Sequence, residues 1–503
     1  MSVIRHLSLA GASLLAVPAS AETLREALVR AYQANPTITA QRAAQRAIDE
    51  TVPIARSAGL PTIGTTAGFS NNLYTASNSF AAPSRSLTGA AQVSVPIFQG
   101  GAVRNGVRAA ETRVEAGRAT LRGTESDLFT AVVAAYMDVI RDEAIVSLNQ
   151  QNVRVLDINL RASQDRFQAG DLTRTDVAQS EARLSLARAQ LQTAQAQLIG
   201  SRENYIRLVG TEPVALEQPP TLPNLPSSPE VATNTALQHN PALIAASRQR
   251  DATRFDIGVA RAQRLPQLAV VAGGNYSNFL GSLGSGTNIN VGQTGTAATG
   301  GLQFSLPIFQ GGRVGAQVRR AEALRAQSIE NATATERSVI AQARSAYASW
   351  RSSSEVIVSA EAAVSANRLS LEGVRAENSV GTRTILDILN AEQELLNSQV
   401  TLVTARRNAY VAGFSLLAAM GDAEARDLGL DGGVLYDPTA NYNRVRRSIN
   451  DFSGDGEPAP VATRTDQSAP QTAVVTKPLD PELDSSVDRT PALTTGSQSP
   501  NRQ

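Results

Sequence analysis

A chain of 503 residues with 46 basic against 45 acidic side chains and a formal net charge of +1 offers no electrostatic reason to expect a nucleic-acid partner. It contains no cysteine, which excludes disulfides, thiolate metal sites and a lipid-attachment thiol. Its one lysine, Lys477, lies in a Pro- and Thr-containing tail, which argues against a phosphate-binding loop or a Schiff-base enzyme.

Residues 1–21 combine Arg5 and His6, an apolar run from Leu7 to Val17, and Ala19-Ser20-Ala21. This is the form of a secretory signal peptide, with cleavage predicted after Ala21. Once His6 leaves with it, His239 stands alone near a helix start, so no metal cluster can be assembled. No cofactor is expected.

A fresh amphipathic helical pattern begins at Glu22 and includes Asn35-Pro36. From Leu60 to Phe98 the chain then carries one charged residue, Arg85, although 18% of the whole sequence is charged. Short alternating runs such as Gln92-Val93-Ser94-Val95, with turn residues between them, read as transmembrane β-hairpins. Gly, Ser, Thr, Asn and Pro interrupt the apolar runs too often for a transmembrane helix. The stretch ends in Pro96-Ile97-Phe98-Gln99-Gly100-Gly101 and gives way to a proline-free helical pattern from Gly101 to Phe167, long enough for one helix of about 65 residues. Leu128, Val132, Ala135, Val139, Val146 and Val153 trace its apolar stripe. Gly170 marks the reversal, and Val177, Leu184, Leu191 and Leu198 on the return segment keep a heptad, the sign of coiled-coil packing. Leu186 and Leu416 hint that some helices pack on two sides.

All of this recurs. Asn240-Pro241 and Leu265-Pro266 follow their counterparts by 205 residues. Pro307-Ile308-Phe309-Gln310-Gly311-Gly312, Gly381 and the heptad Ile388, Leu395, Leu402 and Ala409 follow theirs by 211. The change in offset assigns a six-residue insertion to the Gly-, Ser-, Thr- and Asn-rich segment Gly281–Gly301, expected to be a long loop. The second charge-poor stretch, Leu265 to Phe309, has no charge at all, and the two stretches hold eight of the chain's 21 aromatics: Phe69, Tyr74, Phe80, Phe98, Tyr276, Phe279, Phe304 and Phe309. Interfacial aromatic girdles would explain this clustering, an ordinary hairpin with core aromatics being the alternative that the missing charges weaken.

The predicted organisation is a signal peptide (1–21); a first repeat (22–215) with a lead-in helix, a β-hairpin over about 60–98 and a helical hairpin over about 101–209; and a Pro-rich linker (216–229). There follow a second repeat (230–421) with its β-hairpin over about 265–309 and helical hairpin over about 312–420, a variable region (422–453), and a tail (454–503) whose Pro, Ser, Thr, Asp and Gln content predicts disorder. Four strands per chain cannot close a barrel, and an open sheet edge cannot face lipid, so several chains must pool their strands. A dimer would supply eight strands, a trimer twelve and a tetramer sixteen.

The duplicated layout, the Asn-Pro helix starts, the P-I-F-Q-G-G junctions and the tip sequence Val380-Gly381-Thr382-Arg383-Thr384-Ile385-Leu386-Asp387-Ile388-Leu389 resemble the TolC-like outer-membrane efflux and type I secretion channels, over roughly residues 22–421. The resemblance implies a mixed α/β membrane protein: a homotrimer with a 12-stranded transmembrane β-barrel in the bacterial outer membrane, continuous with a long α-helical coiled-coil barrel across the periplasm. It implies a passive exit duct docked to a periplasmic adaptor protein and an inner-membrane ABC or proton-driven transporter. It also implies that Asp387 lines the constriction, that Arg383 holds the closed state against the neighbouring hairpin, and that Thr175 and Asp176 are that hairpin's contacts. Asp176 is the repeat equivalent of Asp387. The tip residues Gly170, Asp171, Leu172, Gly381 and Thr382 are the expected adaptor contacts. Two positions depart from the family pattern: Asn390 replaces its second constriction aspartate and Asn378 its gate tyrosine, which puts the tightness of the closed state in doubt. The residues alone also fit a solvated helix start, where aspartate is favoured. The rival reading is a structural or adhesive trimeric coiled-coil protein with a β-barrel anchor, although such proteins carry one C-terminal anchor and not two internal ones. The sequence presents no nucleophile constellation, metal cluster or phosphate loop, so an enzyme is not expected.

Overall fold

A computed structural model of the chain describes residues 21–74, 83–284, 291–430 and 435–483; the predicted signal peptide, all but its last residue Ala21, and Phe80 fall outside the described residues. The chain opens with α1 (Leu24–Ala34), started by a capping box between Thr23 and Glu26, followed by α2 (Pro36–Asp49) and α3 (Thr51–Ser57). Next come β1 (Thr62–Asn71), β2 (Arg85–Gln99), α4 (Ala102–Gln168) and α5 (Arg174–Val209). The order then repeats with α6 (Pro229–His239), α7 (Pro241–Ala262), β3 (Gln267–Asn278), β4 (Thr294–Ser305), α8 (Arg313–Ser379) and α9 (Ile385–Met420), and a short α10 (Pro438–Val445) follows.

The four strands form one antiparallel sheet in the order β1-β2-β3-β4. Its register sorts side chains by chemistry. Ile63 pairs with Val93 and Phe69 with Leu87; Val95 pairs with Val270, Val270 with Leu302, and Leu268 with Phe304. Because side chains alternate along a strand, these residues share one face, and Thr66, Ser70, Gln92, Ser94, Asn275 and Gln303 share the other. A register shift between Pro96 and Phe98 brings Phe98 opposite Leu268, back onto the apolar face. Phe69 and Tyr276 stand toward the loop end of the sheet, and Phe98 and Phe304 toward the helical end. The segment Gly281–Gly301, expected as loop throughout, is corrected by β4: residues from Thr294 onward pair with β3, because the small Gly, Ala and Thr residues that suggested a loop also fit a strand face.

β2 passes into helix at Gly100-Gly101, and Gly311-Gly312, separated by residues 306–310 from the end of β4 at Ser305, precede the next long helix; all four glycines have positive φ (58–82°). At Gly100 a β-carbon would meet Leu265 Cβ at 2.7 Å and the Ala262 carbonyl at 2.8 Å, so only glycine fits. The helices α4 and α8 that follow have 67 residues each, and the return helices α5 and α9 have 36 each. At 1.5 Å per residue the long pair reaches roughly 100 Å. The core lies along α4, where Phe129, Val132, Tyr136 and Val139 are buried and α5, α7 and α9 all pack. Leu184, Leu198, Ile388, Leu395, Leu402 and Ala409 of the heptads are buried, with Val177 and Leu191 partly so. Leu416 is buried against Ala232 and Met420, whereas Leu186 is exposed.

Partway along the long helices the short helices are spliced end to end. Asn35 ends α1 with its backbone and starts α2 by accepting from the Thr37 N–H. Its Nδ2 donates 2.8 Å to the Leu208 carbonyl, one of the acceptors that the end of α5 leaves without an intrahelical partner. Asn240 does the same in the second half: it caps α7 through the Ala242 N–H and donates 2.9 Å to the Ala419 carbonyl at the end of α9.

The tail from residue 454, expected to be disordered, is followed to residue 483 as a strap without regular structure. Arg202 holds the Thr472 and Val474 carbonyls, Arg406 pairs with Asp480 and Glu482, Gln399 donates to the Leu483 carbonyl, and Leu483 is only 3% exposed among Leu148, Ala360 and Val364. Individual ion pairs and one anchoring leucine replace the periodic apolar pattern whose absence suggested disorder. Residues 484–503 fall outside the described residues.

The splice predicts an unequal pair of variants. Asn35→Ala loses both the cap and the Leu208 bond and should cost about 2 kcal/mol or more. Asn35→Ser keeps a cap acceptor and loses the reach to Leu208, so its guanidinium midpoint in detergent should fall between wild type and Asn35→Ala.

Candidate functional site

The two ends of the helical hairpins are built alike. At the first, the Gly170 N–H bonds to the Phe167 carbonyl and the Asp171 N–H to the Arg166 carbonyl, closing α4 around Gly170 at φ 86°. At the second, Gly381 and Thr382 bond in the same way to Asn378 and Glu377, with φ 84° at Gly381. Each return helix then starts with a capping box. The Thr173 N–H and hydroxyl donate to Asp176 Oδ2 at 2.9 and 2.7 Å, and the Thr384 N–H and hydroxyl donate to Asp387 Oδ2 at the same two distances. These bonds, the threonine hydroxyl first, hold both carboxyls below the ordinary 3.8. Both are therefore anions at neutral pH, on the first turn of a helix whose dipole favours negative charge there.

The remaining predicted tip residues take less expected positions. Arg383 donates 2.8 Å to Glu377 of its own hairpin, a bond that raises its pKa further, and the Asn378 amide donates 2.6 Å to the Arg383 carbonyl. Arg383 is thus engaged within the second hairpin, while Thr175 and Asp176 lie at the start of α5 in the first. Thr175, Asp171, Gly170, Gly381 and Thr382 are exposed and Leu172 partly so.

Sequence reasoning missed two contacts nearby. Glu392 is buried between α8 and α9 and accepts from Arg375; burial pushes its carboxyl up, and the arginine pulls it back. Its position four residues after Ile388 and three before Leu395, on the heptad face, was the available signal. The second contact joins the hairpins: Arg183 Nη2 on α5 donates 2.9 Å to Asn390 Oδ1 on α9. Beside it Leu184 and Ala187 pack with Leu156 and Leu389. Among the described residues no group of His, Asp and Glu side chains is arranged to hold a metal ion, and no helix is long and apolar enough to cross a membrane.

Comparison with known proteins agrees with this geometry along most of the chain. The model of the family described as outer membrane efflux protein matches residues 27–211 and 232–422. The outer membrane efflux protein BepC of Brucella suis is 32% identical over 438 residues, covering 87% of this chain and 93% of that protein. The outer membrane protein TolC of Escherichia coli is 28% identical over 486 residues, covering 92% and 96%. The crystal structure of the Campylobacter jejuni CmeC outer membrane channel superposes with a TM-score of 0.70 at 17% identity, over 85% of this chain and 90% of that one, a likeness of fold.

The capping boxes make the tips acid-sensitive. A depressed carboxylate stabilises the folded helix start fully above its unfolded pKa, near 3.8, and loses that contribution as pH falls through the lower folded value. Thr384→Ala should raise the Asp387 pKa toward the ordinary value, as read by carboxyl-resolved NMR titration. An unchanged Asp387 titration would refute the assigned cause.

Proposed function

The chain belongs to the outer membrane efflux protein family, and from that premise we propose that it is the outer-membrane exit duct of a tripartite export system. The observation that carries the reading is the sorting of the sheet into an apolar and a polar face across all four strands, with β1 and β4 as unpaired edges. An apolar outer face and a polar inner face are what a barrel wall between lipid and water requires. Strands of 10 to 15 residues reach the length a tilted membrane strand needs. Open edges are untenable in lipid, and three chains of four strands give a 12-stranded barrel wide enough for an aqueous lumen.

The helices support the same assembly. On α8, Leu324, Ile329, Val356, Val358 and Leu369 are exposed, an apolar surface suited to the neighbouring chains of a homotrimer. The helical hairpins, roughly 100 Å long, would cross the periplasm. The exposed tip loops at Gly170, Asp171, Leu172, Gly381 and Thr382 would meet a periplasmic adaptor, and an inner-membrane ABC or proton-driven transporter would supply energy and select the cargo, a small toxic molecule or a secreted protein. The duct itself performs no catalysis.

At the closed end, three copies of Asp387 converge near the axis, with Arg383, Thr175 and Asp176 as the gate residues around them. Thr384 holds each Asp387 anionic. Crowding three carboxylates acts in the opposite sense, and a bound cation relieves it.

Outer-membrane fractionation followed by planar-bilayer recording tests the proposal, and a protein absent from the outer membrane or without conductance would overturn it. Divalent cations are expected to block the wild-type channel, with the block abolished in Asp387→Ala. A block unchanged in that variant would remove Asp387 from the constriction.

A further inference from the structure

We propose that the loop after α10, residues 447–454, together with Ile54 of α3, is a membrane-surface anchor that lies on the periplasmic leaflet of the outer membrane and binds anionic phospholipid headgroups. The proposal rests on the export-duct reading, which makes the junction of strand and helix the periplasmic edge of the lipid.

α10 runs beside α2 and α3 toward that junction. Just before it, the Tyr436 N–H donates to the Tyr32 hydroxyl of α1. Asn441 then donates 3.0 Å to Asp49 at the end of α2, Tyr442 packs with Val52 of α3, and the Arg446 carbonyl accepts from Arg56 in the last turn of α3. Residues just past α3 touch the junction itself. Gln99, the last residue of β2, donates 2.9 Å to the Ala58 carbonyl, and a β-carbon on Gly59 would meet Val103 at 3.0 Å, at the start of α4. Arg56 precedes Gly59 by three residues, about 5 Å of helix. The chain therefore leaves α10 about one helical turn from the sheet.

The loop is braced at this level. Arg444 and Asp455 close its base through two bonds of 2.9 Å, while the Ser448 N–H donates to the Val445 carbonyl and the Phe452 N–H to Asn450 Oδ1. What the loop presents is apolar: Phe452 is 100% exposed and Ile449 76%, and nearby Ile54 is 68% exposed. Scattered apolar side chains at a surface are ordinary, but these three collect at one level, next to the end of the sheet where Phe98 and Phe304 stand on the apolar face. Arg446 and Arg447 flank them, and neither has an ion-pair partner among the described residues. With Asp455 held by Arg444, the two free arginines outweigh Asp451, so the loop is cationic. An aromatic and an isoleucine beside unpaired arginines, placed at the edge of a lipid-facing sheet, match a bilayer interface: the apolar side chains enter the boundary of the acyl region and the guanidinium groups meet phosphate. The chain has no thiol to carry a lipid, and this loop supplies a second hold on the membrane without one.

The absence of cysteine also permits single-site labelling of the full-length channel. An environment-sensitive fluorophore on Phe452→Cys or Ile449→Cys, in vesicles of phosphatidylethanolamine and phosphatidylglycerol, is expected to be quenched by lipids brominated near the headgroup. The same fluorophore on Ser379→Cys, at the exposed far end of α8, should not be. Ile63→Cys, on the apolar face of β1, serves as the reference for lipid contact. Exchanging phosphatidylglycerol for phosphatidylcholine should weaken quenching at the loop roughly twofold, and Arg446→Gln with Arg447→Gln should abolish that preference. Quenching at the loop no greater than at Ser379 overturns the anchor, and so does a fluorophore shielded from water yet untouched by brominated lipid, the result that burial against a neighbouring copy would give. In either case quenching at Ile63 leaves the duct reading standing. A lipid preference that survives the arginine variant overturns the headgroup assignment. No quenching at Ile63 overturns the duct reading, and the anchor with it.

Discussion

Three helix ends meet at one asparagine, and they do so twice. Asn35 closes α1, opens α2 and receives the end of α5; Asn240 does this for α6, α7 and α9. A helix end leaves carbonyls without partners, and at a buried joint water is not available to satisfy them. The asparagine amide offers an acceptor to one terminus and a donor to the other, so two short helices can abut without stranding polar groups. The 22 residues of α7 then continue the 36 of α9 beside the single 67-residue α8, and a wall of matched length results. Proline at the next position fixes the helical φ of the new first turn and needs no partner for a missing N–H.

Above the joint the same requirement, that no backbone group be left unpaired, governs the sheet. The inner pairs β1-β2, β2-β3 and β3-β4 are complete and the outer edges are not. The open edges of the sheet and the exposed apolar residues of α8 are surfaces that one chain leaves uncovered. Strand and helix thus present a deficit at both levels of the molecule, which neighbouring copies of the chain would fill in the proposed assembly.

Much of this was legible in the sequence because it is periodic or duplicated. The heptads announced the buried seams of α5 and α9, the glycine pairs announced the strand-to-helix junctions, and Gly170 and Gly381 announced the reversals. The contacts that escaped notice are single and distant in the chain. Asn35-Pro36 was visible as a landmark, but its partner carbonyl lies 173 residues away. Arg183 and Asn390 are 207 residues apart and follow neither repeat offset. The anchoring of the strap is not legible in the sequence, because nothing about Asp480 or Glu482 in isolation foretells Arg406. Within the chain Arg383 engages Glu377, six residues earlier, a pairing that the resemblance does not include.

The equal helix lengths and the two matching capping boxes have a consequence for symmetry. Three chains with six nearly equivalent hairpins would make a tube that is close to sixfold, ringed by the carboxylates of Asp176 and Asp387. The residue preceding each capping threonine breaks that equivalence, being Leu172 in one hairpin and Arg383 in the other. A docking ring would therefore meet the same backbone shape six times around, with apolar and cationic contacts in alternation. In a trimer the strap, present once per chain, would impose threefold order farther from the tips. One surface could thus be read by shape with six subunits, or by charge with three.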